Sequence, residues 1–140
     1  MFLVITGAFL LSRLQIRSNE IFLSKFIPAL PYLIIFPTLN PLIEEIRYRN
    51  VLLGLGVPVL GATSTLLMTT VLFGLSHFVS FLGASGSGGS FVMGLTYALG
   101  AACMGWVNGK SMLETHGVLE AWIMHMSADL IIILGYIVAT

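Results

Sequence analysis

The sequence predicts an all-α integral membrane protein, a polytopic bundle of about four to five transmembrane helices. Of its 140 residues, 57% are hydrophobic and 9% are charged, whereas a soluble domain has roughly 25% charged residues. The mean hydropathy of +1.00 points the same way. A soluble core cannot absorb so much apolar sequence, so the lipid bilayer is the expected environment. Apolar stretches of helical length, separated by short polar or glycine-rich connections, predict the helices themselves.

The charge balance argues against a nucleic-acid partner. Lys plus Arg and Asp plus Glu each number 6, and the formal net charge is +0. Because the sequence contains no basic patch, we expect the bilayer to be the main partner and no nucleic acid to bind.

The first element is predicted to be a short or partial membrane helix. The opening residues MFLVITGAFLLS have neither the basic start nor the small-residue cleavage site of a signal peptide. The connection that follows carries Arg13, Arg17, Glu20 and Lys25. Its basic bias predicts the cytoplasmic side of the membrane. Residues 1–25 are therefore interpreted as a partial N-terminal membrane helix with a basic connection.

The next stretch, residues 26–56, predicts a broken membrane segment. It contains the prolines Pro28, Pro31, Pro37 and Pro41. Proline inside a helix removes a backbone hydrogen bond, so one smooth helix is not expected. Asn40 followed by Pro41 has the pattern of an N-cap and a first helical residue. We therefore expect a new helix to begin there and to end near Gly54 or Gly56.

Three further helices are predicted after this segment. Pro58 opens an apolar run that ends near Leu82, and the composition of residues 83–89, GASGSGG, is typical of a loop. Residues 90–108 form the next candidate, and residues 118–139 form the last. The candidate at 90–108 carries small residues three or four apart, namely Gly94, Ala98, Ala101 and Gly105. Such a stripe lets membrane helices approach closely.

A charged cluster interrupts the apolar sequence at positions 44 to 49. Glu45 and Arg49 are four apart, so on a helix they can neutralise each other. Glu44 points about 100 degrees away and could pair with Arg47 or Tyr48. Glu44 is therefore the carboxylate that is freer to face a cavity. The alternative interpretation is an interfacial helix end, where all four charges reach water.

Two histidines also have partners at helical spacing. Phe73 and His77 share one helix face, and so do His125 and Asp129. In each case the alternative is a structural histidine that is satisfied within its own helix. His116 lies in a polar connection and is expected to be solvated.

Acids and imidazoles on three separate membrane segments suggest one shared polar site. Ionisable groups at bilayer depth cost a few kcal/mol each, so they normally face a partner, water or the bundle interior. One hypothesis is hydrolysis, in which a carboxylate and an imidazole deprotonate a water while a second pair stabilises the oxyanion. The other is a zinc site with Glu44, His77 and His125 as ligands. No HExxH motif or cysteine pair supports the zinc site.

The polar motifs occur in order on successive predicted membrane segments: Glu44-Glu45-x-x-x-Arg49, Phe73-x-x-x-His77 and His125-x-x-x-Asp129. Together they resemble the signature of the CAAX prenyl protease and bacteriocin-processing family (CPBP), the Abi-type intramembrane proteases. The resemblance covers roughly residues 38–135. It implies that residues 26–140 form a catalytic membrane domain of this type. The expected host membrane is a bacterial or archaeal cell membrane.

The resemblance also implies an activity, namely endopeptidase cleavage of membrane-anchored peptides or proteins. These substrates would be either prenylated CAAX proteins or bacteriocin-like peptides. Glu44 and His77 would activate the hydrolytic water, and Phe73 would support His77. Arg49 would hold the site together through Glu45.

The last motif, His125-x-x-x-Asp129, is expected to stabilise the oxyanion that forms during hydrolysis. By the resemblance, His125 and Asp129 would form the oxyanion pocket. Asp129 stands where the family often has Asn, and an ionised Asp cannot donate a hydrogen bond. It would therefore be protonated or would orient His125. No cofactor is expected, and zinc at the positions given above is the alternative.

Two other functions are compatible with parts of the sequence. A membrane immunity or scaffold protein of the same fold would lack turnover. A rhomboid-like serine protease would use Ser85, in Gly83-Ala-Ser-Gly86, with His125 as its base. The rhomboid motif should open a helix directly, whereas here Ser-Gly-Gly-Ser follows it.

Overall fold

The computed structural model describes residues 19–85 and 90–139, and within these ranges the backbone is almost entirely helical. The elements are α1 (Asn19–Glu45), a π-helical segment (Ile46–Leu53), α2 (Gly54–Leu60), α3 (Ala62–Ser85), α4 (Phe91–Thr115) and α5 (Leu119–Ala139). No strand occurs in the described ranges, so the predicted all-α class is confirmed. Of the predicted partial helix and basic connection at residues 1–25, the part before Asn19 lies outside the described residues. The described part of the connection is helical and belongs to α1, so the prediction of a connection there is wrong.

Three helical stretches are long and apolar enough to cross a membrane. Among the described residues these are Phe26–Leu60, Ala62–Gly83 and Phe91–Thr115, with 35, 22 and 25 residues. A membrane helix needs about 20 predominantly apolar residues, and each stretch exceeds that length. The predicted helical membrane bundle is therefore confirmed.

The predicted break at the prolines is wrong. Helix α1 runs without interruption through all four prolines to Glu45, so Asn40 does not cap a new helix. Membrane helices tolerate proline because neighbouring groups satisfy the freed backbone carbonyls. The irregularity lies later in the chain, where the hydrogen-bonding pattern changes to a π-helix from Ile46 to Leu53. Short π-helical stretches often occur at functional sites.

The break between the first and second spans occurs at Gly61. Pro58 lies inside α2 and does not open the next helix as predicted. Gly61 has φ 80° and ψ 159°, a conformation that is essentially restricted to glycine. The hydroxyl of Thr65 donates to the Gly61 carbonyl oxygen at 2.8 Å. Glycine at this position therefore turns the chain, and α3 begins immediately afterwards.

The small-residue stripe on α4 lies in the contact with α3, as predicted. Gly94, Ala98, Ala101 and Gly105 are all buried. A Cβ atom on Gly74 of α3 would lie 2.9 Å from the carbonyl oxygen of Ala98. The two backbones therefore approach closely, as small residues permit in membranes.

Two helix boundaries differ from the predictions. Helix α4 continues seven residues past 108 to Thr115, and ends at His116, which has φ 55°. The exposed pair Lys110 Nζ and Glu114 Oε1, 3.6 Å apart, supports the extra turns. Helix α3 continues through Ser85, so the start of the predicted loop is helical. The rest of that loop, residues 86–89, lies outside the described residues.

The described residues belong to two compact units. One contains Ile43–Ile123 and therefore the end of α1, the π-helical segment, α2, α3, α4 and the start of α5. The other contains the described parts of the ranges 1–42 and 124–140.

Candidate active site

Aromatic packing joins three elements within the unit Ile43–Ile123. Tyr48 of the π-helical segment, Phe73 of α3 and Ala101 of α4 form one buried cluster. The rings of Tyr48 and Phe73 meet edge to face, with centroids 5.0 Å apart. This geometry is favourable for aromatic pairs. The cluster fixes the π-helical segment against both helices and so places the charged residues that the segment carries.

Glu45 and Arg49 form the internal ion pair that their spacing predicts. Arg49 Nε lies 3.1 Å from Glu45 Oε2, and both side chains are almost completely buried. The guanidinium also stacks over the Phe73 ring, with Cζ 4.3 Å from the ring centroid. A Cβ atom on Gly105 would lie 3.3 Å from Arg49 Nη2, so the missing side chain makes room for the guanidinium. The two buried charges neutralise each other, but removing either residue would leave the other as an unpaired buried charge.

Asn108 is a site residue that the sequence reasoning missed. Its Nδ2 donates to Glu45 Oε1 at 2.9 Å, and its side chain is fully buried. The prediction ended the helix at this position and treated the residue as part of a polar turn. A signal was available, because Asn108 lies three residues after Gly105 and so continues the buried stripe of α4.

Glu44 and His77 face each other across a short gap. Glu44 Oε2 lies 3.7 Å from His77 Nε2, and the side chains are 21% and 15% exposed. Residue spacing could not place these two groups together, because they are on different helices, whereas the family resemblance implied that they act on the same water. Both side chains are partly exposed, unlike the almost completely buried Glu45 and Arg49, although the Oε2 atom that faces His77 is itself buried.

The His77 ring is held in one orientation by its own helix. Nδ1 lies 2.9 Å from the carbonyl oxygen of Phe73, which can only accept, so Nδ1 is the protonated nitrogen. The Phe73 ring packs against the imidazole with centroids 4.4 Å apart, which confirms the predicted contact. The ring of Tyr97 of α4, another residue that the prediction missed, packs near the imidazole, with ring centroids 5.6 Å apart. In the neutral ring Nε2 is then an acceptor directed at the Glu44 carboxylate.

Arg47 does not take part in this arrangement. Its side chain is exposed, whereas Glu45 and Arg49 on either side of it are buried. Glu44, the carboxylate that Arg47 could have paired with, faces His77. The site therefore keeps its acid and imidazole without competition from this cation.

The pair His125 and Asp129 lies in the unit that contains the ranges 1–42 and 124–140. His125 Nε2 lies 3.8 Å from Asp129 Oδ1, and their side chains are 1% and 17% exposed. Their helical spacing therefore brings the two groups together as predicted.

The described donors do not form a metal site by themselves. Glu44 and His77 supply two ligands, whereas catalytic zinc sites use three protein ligands. Across the described ranges, no group of three or more His, Cys, Asp or Glu side chains could hold a metal ion. His77 Nδ1 is already directed at a backbone carbonyl, so only Nε2 is available for a ligand.

Two remaining candidates have simple structural positions. Ser85 lies inside the helical range of α3, preceded by 23 helical residues, whereas a rhomboid nucleophile would open a helix. Its side chain lies outside the described residues. His116 is exposed in the left-handed conformation at the end of α4, in agreement with the expected solvation.

These features define a helical integral membrane protein that carries an acid and an imidazole side by side within its membrane-spanning part. The family described as Type II CAAX prenyl endopeptidase Rce1-like matches residues 26–131, and the chain belongs to this family. The family is one of CAAX-type intramembrane proteases, which hydrolyse peptide bonds of membrane-associated substrates. No curated protein and no solved structure matches the chain significantly.

Proposed function

We propose that this protein is an intramembrane endopeptidase that cleaves CAAX-type, membrane-anchored substrates with a water molecule activated between Glu44 and His77. Family membership over residues 26–131 supports the class of reaction and substrate. The gap between the carboxylate and the imidazole supports the mechanism. Bacteriocin-like peptides, the other substrate class that the sequence resemblance implies, have no comparable support.

The observation that carries the proposal is the fixed His77 ring. Because Nδ1 donates to the Phe73 carbonyl, Nε2 and Glu44 Oε2 are two acceptors 3.7 Å apart. Two acceptors do not bond to each other, and 3.7 Å is too long for a direct hydrogen bond. A water molecule has two donors and can satisfy both groups at once. A water that lies beside the two atoms, within hydrogen-bond distance of each, would be held and polarised by both.

The reaction then follows from ordinary acid–base chemistry. The water oxygen attacks the substrate carbonyl carbon while Glu44 accepts a water proton. His77 Nε2 accepts a hydrogen bond from the same water and orients it. Glu44 then passes the proton to the departing nitrogen as the carbon–nitrogen bond breaks. The products are a new carboxylate and a new amine, and no covalent enzyme intermediate forms.

His125 and Asp129 keep the role that the sequence resemblance implies, which is to form the oxyanion pocket. His125 would donate a hydrogen bond to the oxyanion of the tetrahedral intermediate. Asp129, whose Oδ1 lies 3.8 Å from His125 Nε2, would orient that ring. Because a neutral imidazole has only one N–H, that N–H can serve the oxyanion or an ionised Asp129 but not both, and a protonated Asp129 remains the alternative.

Substitution of His77 tests the proposal against a matched histidine. Purified protein in liposomes is incubated with membrane-anchored peptides that end in a prenylated CAAX sequence, and product is quantified by mass spectrometry. We expect His77→Gln to lower the cleavage rate by about 10²- to 10⁴-fold, the usual contribution of acid–base groups. His116→Gln, at an exposed position, should keep the wild-type rate.

The same assay distinguishes the alternatives. Cleavage by His77→Gln at the wild-type rate contradicts the mechanism. Loss of activity in Ser85→Ala with retention in His77→Gln would favour the rhomboid-like alternative. A folded wild-type protein that cleaves no substrate would favour the immunity or scaffold alternative.

A further inference from the structure

Asn108 lies where packing alone would favour an apolar residue. Its side chain is fully buried. Nδ2 is bonded to Glu45 Oε1, whereas Oδ1 has no hydrogen-bond partner among the described residues. A buried amide with an unmet acceptor destabilises the fold relative to an apolar side chain of similar size. The position of Asn108 therefore calls for a role beyond filling space.

The hydrogen bond from Asn108 is the first of a series of contacts that ends at the imidazole. The second carboxylate oxygen of Glu45 lies 3.1 Å from Arg49 Nε. The Arg49 guanidinium lies over the Phe73 ring, with Cζ 4.3 Å from its centroid. The Phe73 carbonyl then accepts from His77 Nδ1 at 2.9 Å. The series thus links α4, through the π-helical segment, to the histidine on α3.

The hydrogen bond from Asn108 to Glu45 also bears on Glu44, the carboxylate that faces His77. Glu44 and Glu45 are adjacent in the chain, so a rotation of the helix at Glu45 moves the Glu44 carboxylate as well. Glu45 is held on both oxygens, by Asn108 from α4 and by Arg49 from the following turn. A shift of about 1 Å in a reacting group can cost on the order of 10²-fold in rate.

We propose that Asn108 is a positioning residue, which fixes Glu45 and thereby sets the distance between Glu44 and His77 at which one water molecule beside them can bond to both. This inference rests on the proposed hydrolytic function. Asn108 touches neither the water nor the substrate, and it acts through the backbone and the buried ion pair. Its removal should therefore affect the rate of the chemical step and leave substrate binding largely unchanged.

Two substitutions at Asn108 test this role, and exposed Asn50 of the π-helical segment provides the matched control. We expect Asn108→Ala to lower kcat by about 10²-fold with KM within about twofold of the wild-type value. Asn50→Ala should leave both parameters unchanged. Circular dichroism and size-exclusion chromatography in detergent establish that each variant is folded.

The second substitution, Asn108→Asp, makes the hydrogen bond to Glu45 depend on pH, and circular dichroism at each pH distinguishes a lower rate in folded protein from unfolding. Its carboxyl group can replace the amide donor to Glu45 only while the two carboxyl groups share a proton. The activity of this variant should therefore fall as the pH rises, relative to the wild type. In the described part of the unit, the other titratable or charged groups around this region are Arg49, Tyr48, Glu44 and His77. All four are unchanged in Asn108→Asp and in Asn50→Asp, so Asn50→Asp should keep the wild-type pH profile.

The outcomes separate this inference from the function on which it rests. Wild-type kcat in Asn108→Ala overturns the positioning role, and so does a pH profile of Asn108→Asp that matches that of Asn50→Asp. If Asn108→Ala does not fold, the pH profile of Asn108→Asp decides by itself. If the wild type is active and Glu44→Gln is inactive in the same assay, either of those two results overturns the role of Asn108 but not the proposed hydrolytic function. A wild-type protein without activity overturns the proposed function, and the positioning role with it.

Discussion

Arg47 and Arg49 lie two residues apart and have opposite environments. Arg47 is exposed, whereas Arg49 is buried against Glu45 and the Phe73 ring. The sequence predicted the pairing of Glu45 with Arg49 because spacing along a helix is a local property. Spacing could not decide where Glu44 points, because that depends on His77, 33 residues further along the chain and on another helix; only the family resemblance paired the two.

The two arginines give a matched prediction at the residue scale. Arg49→Gln leaves the Glu45 carboxylate buried without its cation, and breaking such a pair costs about 3–5 kcal/mol. We therefore expect a markedly lower midpoint of thermal unfolding in detergent, followed by circular dichroism. Arg47→Gln should change the free energy of unfolding by less than about 0.5 kcal/mol, because exposed substitutions usually do. Equal effects of the two substitutions would contradict the assignment of Arg49 as the internal partner.

Asn108 marks the limit of sequence reasoning at this scale. Its partner Glu45 is 63 residues away, and no local pattern connects them. The polar type of the residue suggested a turn, whereas the structure uses the same polarity to satisfy a buried carboxylate. The ambiguity is physical, since an amide is suitable both for a solvated turn and for a buried hydrogen bond.

At the scale of elements, hydropathy predicted which stretches are helical but did not predict all of their ends. Helix α5 forms at Leu119–Ala139, within one residue of the predicted start. Helix α1 passes through its prolines because the membrane setting changes what a proline does to a helix. The π-helical segment could not be predicted, because its hydrogen-bonding pattern depends on packing against α3 and α4 and has no sequence signature.

The turn between the first two spans gives a prediction at this scale. Gly61 has a backbone conformation that costs other residues about 1–3 kcal/mol, although no atom lies within 4 Å of where its Cβ would be. Gly61→Ala should therefore lower the midpoint of thermal unfolding through backbone strain alone. Gly100, inside α4, also has open space around its Cβ position but has ordinary helical geometry. Gly100→Ala should keep or raise the midpoint, and a loss equal to that of Gly61→Ala would contradict the assignment.

At the scale of the whole molecule, composition alone predicted the membrane setting and three ordered motifs predicted the family. Both are confirmed, because the described part of the chain contains three helices that could span a membrane and the family match covers residues 26–131. The motifs alone did not give the width of the gap or the direction of each imidazole nitrogen. Those properties come from tertiary packing, and the proposed mechanism depends on them.

The most direct test of the central claim combines one substitution with metal removal. Single-turnover cleavage of a prenylated CAAX peptide is measured in liposomes for the wild type, Glu44→Gln and the exposed control Glu114→Gln, each before and after exhaustive chelation. If Glu44 activates water together with His77, Glu44→Gln loses at least about 10²-fold in rate. Glu114→Gln and the chelated wild type then keep the full rate. Full activity in Glu44→Gln would contradict the account, and so would a wild-type rate that chelation abolishes and added zinc restores.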